Sequence, residues 1–124
     1  MAIRNIAVLV ISVVAYAGTA FAHHSFSAEF DAGKPVKLTG IVTKVEWTNP
    51  HVWIQIYIEN GAGAKEEWSV EGGGRNSLAR EGWRPGTFKP GDVVTLKLHP
   101  MRDGSHGASF VAAKLADGTT LGRW

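Results

Sequence analysis

Val36-Lys37-Leu38-Thr39-Gly40-Ile41-Val42-Thr43-Lys44-Val45-Glu46-Trp47 reads as a long first strand that changes face halfway. Val36 and Leu38 share one parity; Ile41, Val45 and Trp47 share the other, with Gly40 at the switch. Branched residues suit a pleated, half-buried surface, and a glycine inside a strand marks a bulge or a sharp bend. A long bent strand can pair with two different neighbours, which is what closing a small barrel requires.

Outward from this strand, Thr48-Asn49-Pro50 is a turn signal. His51 to Glu59 then alternates cleanly, with Val52, Ile54, Ile56 and Ile58 on one face and His51, Trp53, Gln55, Tyr57 and Glu59 on the other. After Asn60-Gly61-Ala62-Gly63, a short strand spans Glu67 to Glu71, Trp68 and Val70 pointing inward, until Gly72-Gly73-Gly74 breaks it. Asn76 is placed as the N-cap of a short helix ending at Gly82. Asp92 to His99 is a fourth strand with Val94, Leu96 and Leu98 inward. Ala108 to Leu115 is a fifth, and Asp117-Gly118 leads to a short last one. Ser25 to Pro35 reads as an irregular lead-in. The expected fold is all-β with one short helix, a small five-stranded OB-like Greek-key barrel over residues 36–124. Another open barrel or a sandwich is the alternative.

The N-terminus predicts an address. Arg4, the apolar run Ile6 to Tyr16 and Ala20-Phe21-Ala22 read as a secretory signal peptide over residues 1–22, followed by an N-terminal segment, 23–35. The expected location is the periplasm or the outside of the cell. The apolar run is short for a membrane span and no second one follows, so the processed chain is expected to carry no span. The chain has no cysteine, so it has neither disulfides nor thiolate ligands. Its formal charge of +2 is spread rather than gathered into a stripe, which argues against a nucleic-acid partner. Glu67 and Glu71 on the candidate face argue the same way. No Ser-His-Asp set and no HExxH motif is present, and no enzymatic activity is assigned.

Cleavage after Ala22 would make His23 the first residue. Its α-amine and imidazole form a chelate, and His24 adds a nitrogen. Such sets favour Cu(II), with Zn(II) and Ni(II) behind. His51 completes the site if the segment folds back over the second strand. Binding is expected to weaken as pH falls from neutral towards about 5, because the ligands must be deprotonated. The bland reading is that His-His merely assists export. OB barrels bind on strands two and three and on the loops joining strands one to two and four to five. Here that region holds Trp47, Asn49, His51, Trp53, Glu71 and Asn76, with His99 and His106 on the second loop. Each has a structural alternative: His51 bonding the turn backbone, Glu71 tethering the glycines, Trp53 or Tyr57 covering the barrel. Two functions follow: a small binding or accessory module, or a protein-interaction module that meets an envelope partner through exposed aromatics and a strand edge.

The set His23-His24-Ser25-Phe26, Trp47-Thr48-Asn49-Pro50-His51, Glu71-Gly72-Gly73, Gly82-Trp83 and Lys89-Pro90-Gly91-Asp92 resembles a family of small exported bacterial proteins classed as a domain of unknown function, the 6152 type. The resemblance covers essentially the whole chain after the leader. It implies export, one small β-barrel and no established activity. Gly74-Arg75 departs from the small residue and proline common before the Asn, and His106 stands where other residues are usual, which puts His106 in doubt as a family-wide ligand.

Overall fold

β1 (Val36–Glu46) is shared between two neighbours, and that sharing bends the sheet round into a barrel. The computed structural model describes residues 26–124, so the expected leader, His23 and His24 lie outside the described residues. β2 is Trp53–Glu59, β3 Lys65–Glu71, α1 Arg75–Arg80, β4 Val93–Pro100, β5 Gly107–Lys114 and β6 Thr120–Gly122. Val36 to Ile41 pair antiparallel with β4, and Ile41 to Glu46 pair antiparallel with β2. β3 follows β2, and Ser69–Glu71 run parallel to Gly107–Ser109 of β5. The ring 1-2-3-5-4-1 is thereby closed, with α1 between β3 and β4 as in an OB barrel. β6 extends the far part of β5. Among the described residues, no helix is long and apolar enough to cross a membrane.

The change of face in β1 does occur, but not at Gly40. Gly40 and Val42 are buried, Val36 and Leu38 pack on the core, and Ile41 is 46% exposed. The register slips between Val42 and Lys44, so Thr43 is the extra residue of a bulge, and Val45 and Trp47 turn inward after it. Gly40 has a different task. A β-carbon there would collide with the carbonyl oxygen of Tyr57, so its absence lets the two backbones approach where β1 passes from one partner to the other.

β2 fills the barrel as its alternation requires: Val52, Ile54, Ile56 and Ile58 are all buried, as are Val70, Val94, Leu96 and Leu98 from its neighbours. Each such side chain contributes about 1.5–3 kcal/mol of burial. α1 plugs one end. It closes in a Schellman turn: the Gly82 amide donates to the Ala79 carbonyl at 3.2 Å, and the Trp83 amide to that of Leu78 at 2.9 Å. This turn drives Leu78 and Trp83 into the interior, where the Trp83 ring meets Phe88 at 4.8 Å and Phe110 edge-on at 4.6 Å.

The lead-in is irregular only from Asp31 onward. Residues 26–29 form a single helical turn, and the Phe30 amide donates to the Phe26 carbonyl at 2.9 Å. One turn brings the two rings to 5.1 Å. Phe30 is buried and pairs with Met101 just past β4. Arg102 fastens the segment from the other side, its amide donating to the Glu29 carbonyl at 2.9 Å and its Nε to that of Ser27 at 2.8 Å.

Candidate functional site

The turn after β1 and the glycine run after β3 form one junction. The Gly72 amide donates to the Val52 carbonyl at 2.7 Å, and the Val52 amide donates to that of Gly73 at 2.9 Å. The turn itself, with a cis Asn49–Pro50 bond, is pinned by the Thr48 hydroxyl donating to the His51 carbonyl at 2.7 Å. Asn49 then reaches α1: its Oδ1 accepts the Arg75 amide at 3.0 Å. This corrects the expected N-cap. Gly74 occupies the cap position without a side-chain bond, and Asn76 lies exposed inside the helix. The orphan amide of the first turn is satisfied across the fold by Asn49 instead of locally by Asn76.

His51 sits on the same junction. Its Nδ1 lies 3.0 Å from the Gly72 carbonyl oxygen and 3.1 Å from Glu71 Oε1. Both partners are acceptors, so Nδ1 carries the proton. In the neutral ring Nε2 then holds the lone pair. The side chain remains 45% exposed. The His51 ring thus bonds the glycine run rather than the backbone of its own turn, and Glu71 holds the His51 ring rather than the glycines directly.

Strand register defines the outer face. Trp53 pairs with Glu71, Glu71 with Ser109, and Ser109 with His99, so these four form one row across β2, β3, β5 and β4. Their neighbours Ile54, Val70, Ala108 and Leu98 are buried, which turns the row outward. In the next row Gln55 Nε2 donates to Ser69 Oγ at 3.0 Å, and Ser69 pairs with Gly107. Trp53 is half-buried on this face, whereas Trp47 packs against the core. Of the expected site residues, Asn49, His51 and Glu71 therefore meet at the junction, Trp53 borders it, and Trp47 and Asn76 stand apart.

A second polar cluster was not legible in the sequence. Glu66 accepts Asn60 Nδ2 at 3.1 Å and Trp68 Nε1 at 3.3 Å, and it lies 3.5 Å from His106 Nε2. The His106 ring stacks on Trp68 with centroids 5.2 Å apart. The Asn60 bond, then the Trp68 bond, then the charge of His106 hold the Glu66 carboxyl below its ordinary range, against desolvation. The cluster covers Trp68 where it packs against the core. Among the described residues, no group of three or more His, Cys, Asp or Glu side chains is arranged to hold a metal ion.

A family model described as Family of unknown function (DUF6152) matches residues 9–110. No curated protein and no solved structure matches the chain. The matched span takes in the turn, the glycine run, His51, Glu71 and α1, so the junction lies wholly inside it, and the chain belongs to the Family of unknown function (DUF6152).

Proposed function

We propose that the protein is exported, with removal of residues 1–22, and works in the periplasm as a small binding module that takes up a transition metal, Cu(II) first. The donors are the α-amine and imidazole of His23, the imidazole of His24 and Nε2 of His51. The observation that carries the reading is the hold on His51. A histidine whose Nδ1–H is committed to a carboxylate and a carbonyl presents an oriented Nε2, the arrangement usual behind a metal-binding imidazole. Nitrogen-rich sites favour Cu(II) over Ni(II) and Zn(II). The described part of the segment is fastened just past β4, where Phe30 pairs with Met101, and from Phe26 three further residues reach at most about 10 Å.

Equilibrium dialysis with Cu(II) tests this on protein recovered from the periplasm, its N-terminus verified by intact mass. One Cu(II) per chain is expected. Affinity should fall about tenfold or more in His51→Ala, and also when one alanine precedes His23. Unchanged affinity in both variants refutes the reading.

A second reading, a protein-interaction module, draws on a different patch. Val93, Ile41 and Tyr57 stand exposed side by side in the ladder and line a groove of about 530 Å³ with Thr39, Gly40, Glu59 and Lys65. Trp53→Ala or Ile41→Ser protein that keeps Cu(II) uptake but loses an envelope partner crosslinked in cells would favour it.

A further inference from the structure

Of the large hydrophobic side chains that stand exposed among the described residues, Phe26 belongs to the N-terminal turn, and Ile41, Tyr57, Val93 and Trp124 share one face of the barrel. Strand register brings them together. Ile41 pairs with Val93 on one side and with Tyr57 on the other, so the three form one outward row across β4, β1 and β2. Two residues back along β1 lies Thr39, opposite Thr95, their hydroxyls 2.8 Å apart. Two further back lies Lys37, directly opposite Lys97. Side chains at this spacing point the same way, so the face grades from apolar through hydroxyl to basic over roughly 13 Å.

The Trp124 ring lies at the basic end. Lys37 Nζ sits 4.3 Å from its centroid, and Lys97 Nζ donates to the carbonyl of the adjoining Arg123 at 3.5 Å. Both ammonium groups thus converge on one dipeptide. Lys114 stands opposite Thr95 and diagonal to Lys97, which puts a third lysine on the face. Cations that read as spread along the sequence are gathered here by strand pairing. Among the described residues, Lys37, Lys97, Lys114 and Arg123 have no ion pair with a carboxylate. Lysines directly opposite each other in a sheet repel, so the face carries positive charge that the fold leaves unanswered. Carboxylates border it elsewhere: Glu67 opposite Tyr57, Glu59 opposite Lys65, and Asp117 in the turn beyond Lys114, where it accepts the Thr119 amide at 2.8 Å.

We propose that this face docks peripherally on an anionic lipid bilayer. Ile41, Tyr57, Val93 and Trp124 meet the boundary between headgroups and acyl chains, and Lys37, Lys97 and Lys114 meet lipid phosphates. Exposed apolar side chains, amphipathic aromatics and lysines on one surface are the combination that binds such an interface. A purely electrostatic partner would leave Ile41 and Val93 unused. The inference rests on neither export nor copper, since none of these residues is a donor in the metal reading. It competes with the protein-interaction reading for the same patch.

The test uses vesicles of equal parts phosphatidylglycerol and phosphatidylcholine, with pure phosphatidylcholine as the neutral surface, and protein whose N-terminus is read by intact mass. All variants share that N-terminus, so the residues ahead of Phe26 contribute equally to each. In co-sedimentation, uptake by the anionic vesicles should exceed uptake by the neutral ones and fall as salt is raised. Lys37→Gln and Lys97→Gln should each weaken it about fivefold, the effect of one cation near such a surface. Arg80→Gln removes the same charge from α1, outside the face, and should leave uptake nearly unchanged. Val93→Thr should weaken uptake by a factor that salt does not alter, because its contribution is apolar. Urea midpoints should stay close to that of the unaltered protein, as surface exchanges of this kind allow. Equal uptake by neutral and anionic vesicles, or equal losses in Lys37→Gln and Arg80→Gln, overturns the assignment. Uptake indifferent to Val93→Thr overturns it as well, since charge alone would then suffice, as it would for an acidic protein.

Discussion

Replacing Asn49 by alanine isolates the contact that ties the β1–β2 turn to α1. The side chain is exposed, so no cavity is made, and the change removes one acceptor from the Arg75 amide at 3.0 Å. Loss of a helix-capping acceptor costs about 0.5–2 kcal/mol, typically near 1. With a urea m-value of about 1–3 kcal/mol/M, a loss of about 1 kcal/mol moves the unfolding midpoint down by roughly 0.3–1 M. Asn76→Ala supplies the contrast. Asn76 is exposed within α1 and caps nothing, and alanine is the better helix former, so the midpoint should hold or rise, by up to about 0.7 kcal/mol in stability. The two variants should have the m-value of the unaltered protein. Native-state hydrogen exchange adds a local readout, because the Arg75 amide should exchange faster in Asn49→Ala alone. If Asn76→Ala destabilises the protein and Asn49→Ala does not, the cap is local after all and the junction described above is wrong.

Gly40→Ala pushes a methyl group into the Tyr57 carbonyl and should cost about 1–3 kcal/mol, read as a fall in Tm by differential scanning calorimetry; an unchanged Tm would mean that β1 and β2 do not approach there as described. Asn60→Ala removes the main cause of the depressed Glu66 pKa. A depressed carboxyl contributes stability that is fully present above its unfolded pKa of about 4.3 and is lost as pH falls through the lower folded value. The stability gap between Asn60→Ala and the unaltered protein should therefore be constant near neutral pH and narrow in acid; urea unfolding at both pH values checks it, and a gap that widens in acid would contradict the assignment.

How much of this was readable from the residues depends on the range of the forces involved. β2 was fully legible, because four branched residues at period two leave one choice of face. β1 was legible in outline only. Ile41 and Val42 are adjacent and both apolar, so the sequence does not say which one faces in, and a bulge at Thr43 decides it. The Phe26–Phe30 pair was hidden by the turn-forming residues that follow it, although the spacing of four is a helical signal. Local propensity favoured Asn76 as a cap, while the acceptor that serves comes from Asn49 in another loop. That His51 would bond backbone was foreseeable from a histidine beside a turn, but its partners Gly72 and Glu71 come from another strand end. The Glu66–Trp68–His106 cluster was not, since it forms only when the β4–β5 loop folds against β3.

The cylinder is sealed along a short seam, where only Ser69, Val70 and Glu71 meet Gly107, Ala108 and Ser109. Every other adjoining pair in the ring is held by neighbours in sequence or by the long first strand, so this seam joins the two halves of the chain over the least length. Glu71, which steadies His51, and Ser109, the row neighbour of His99, are themselves stitches in it. Loosening either stitch would therefore be felt as slackness of the whole shell rather than as a local change at the rim.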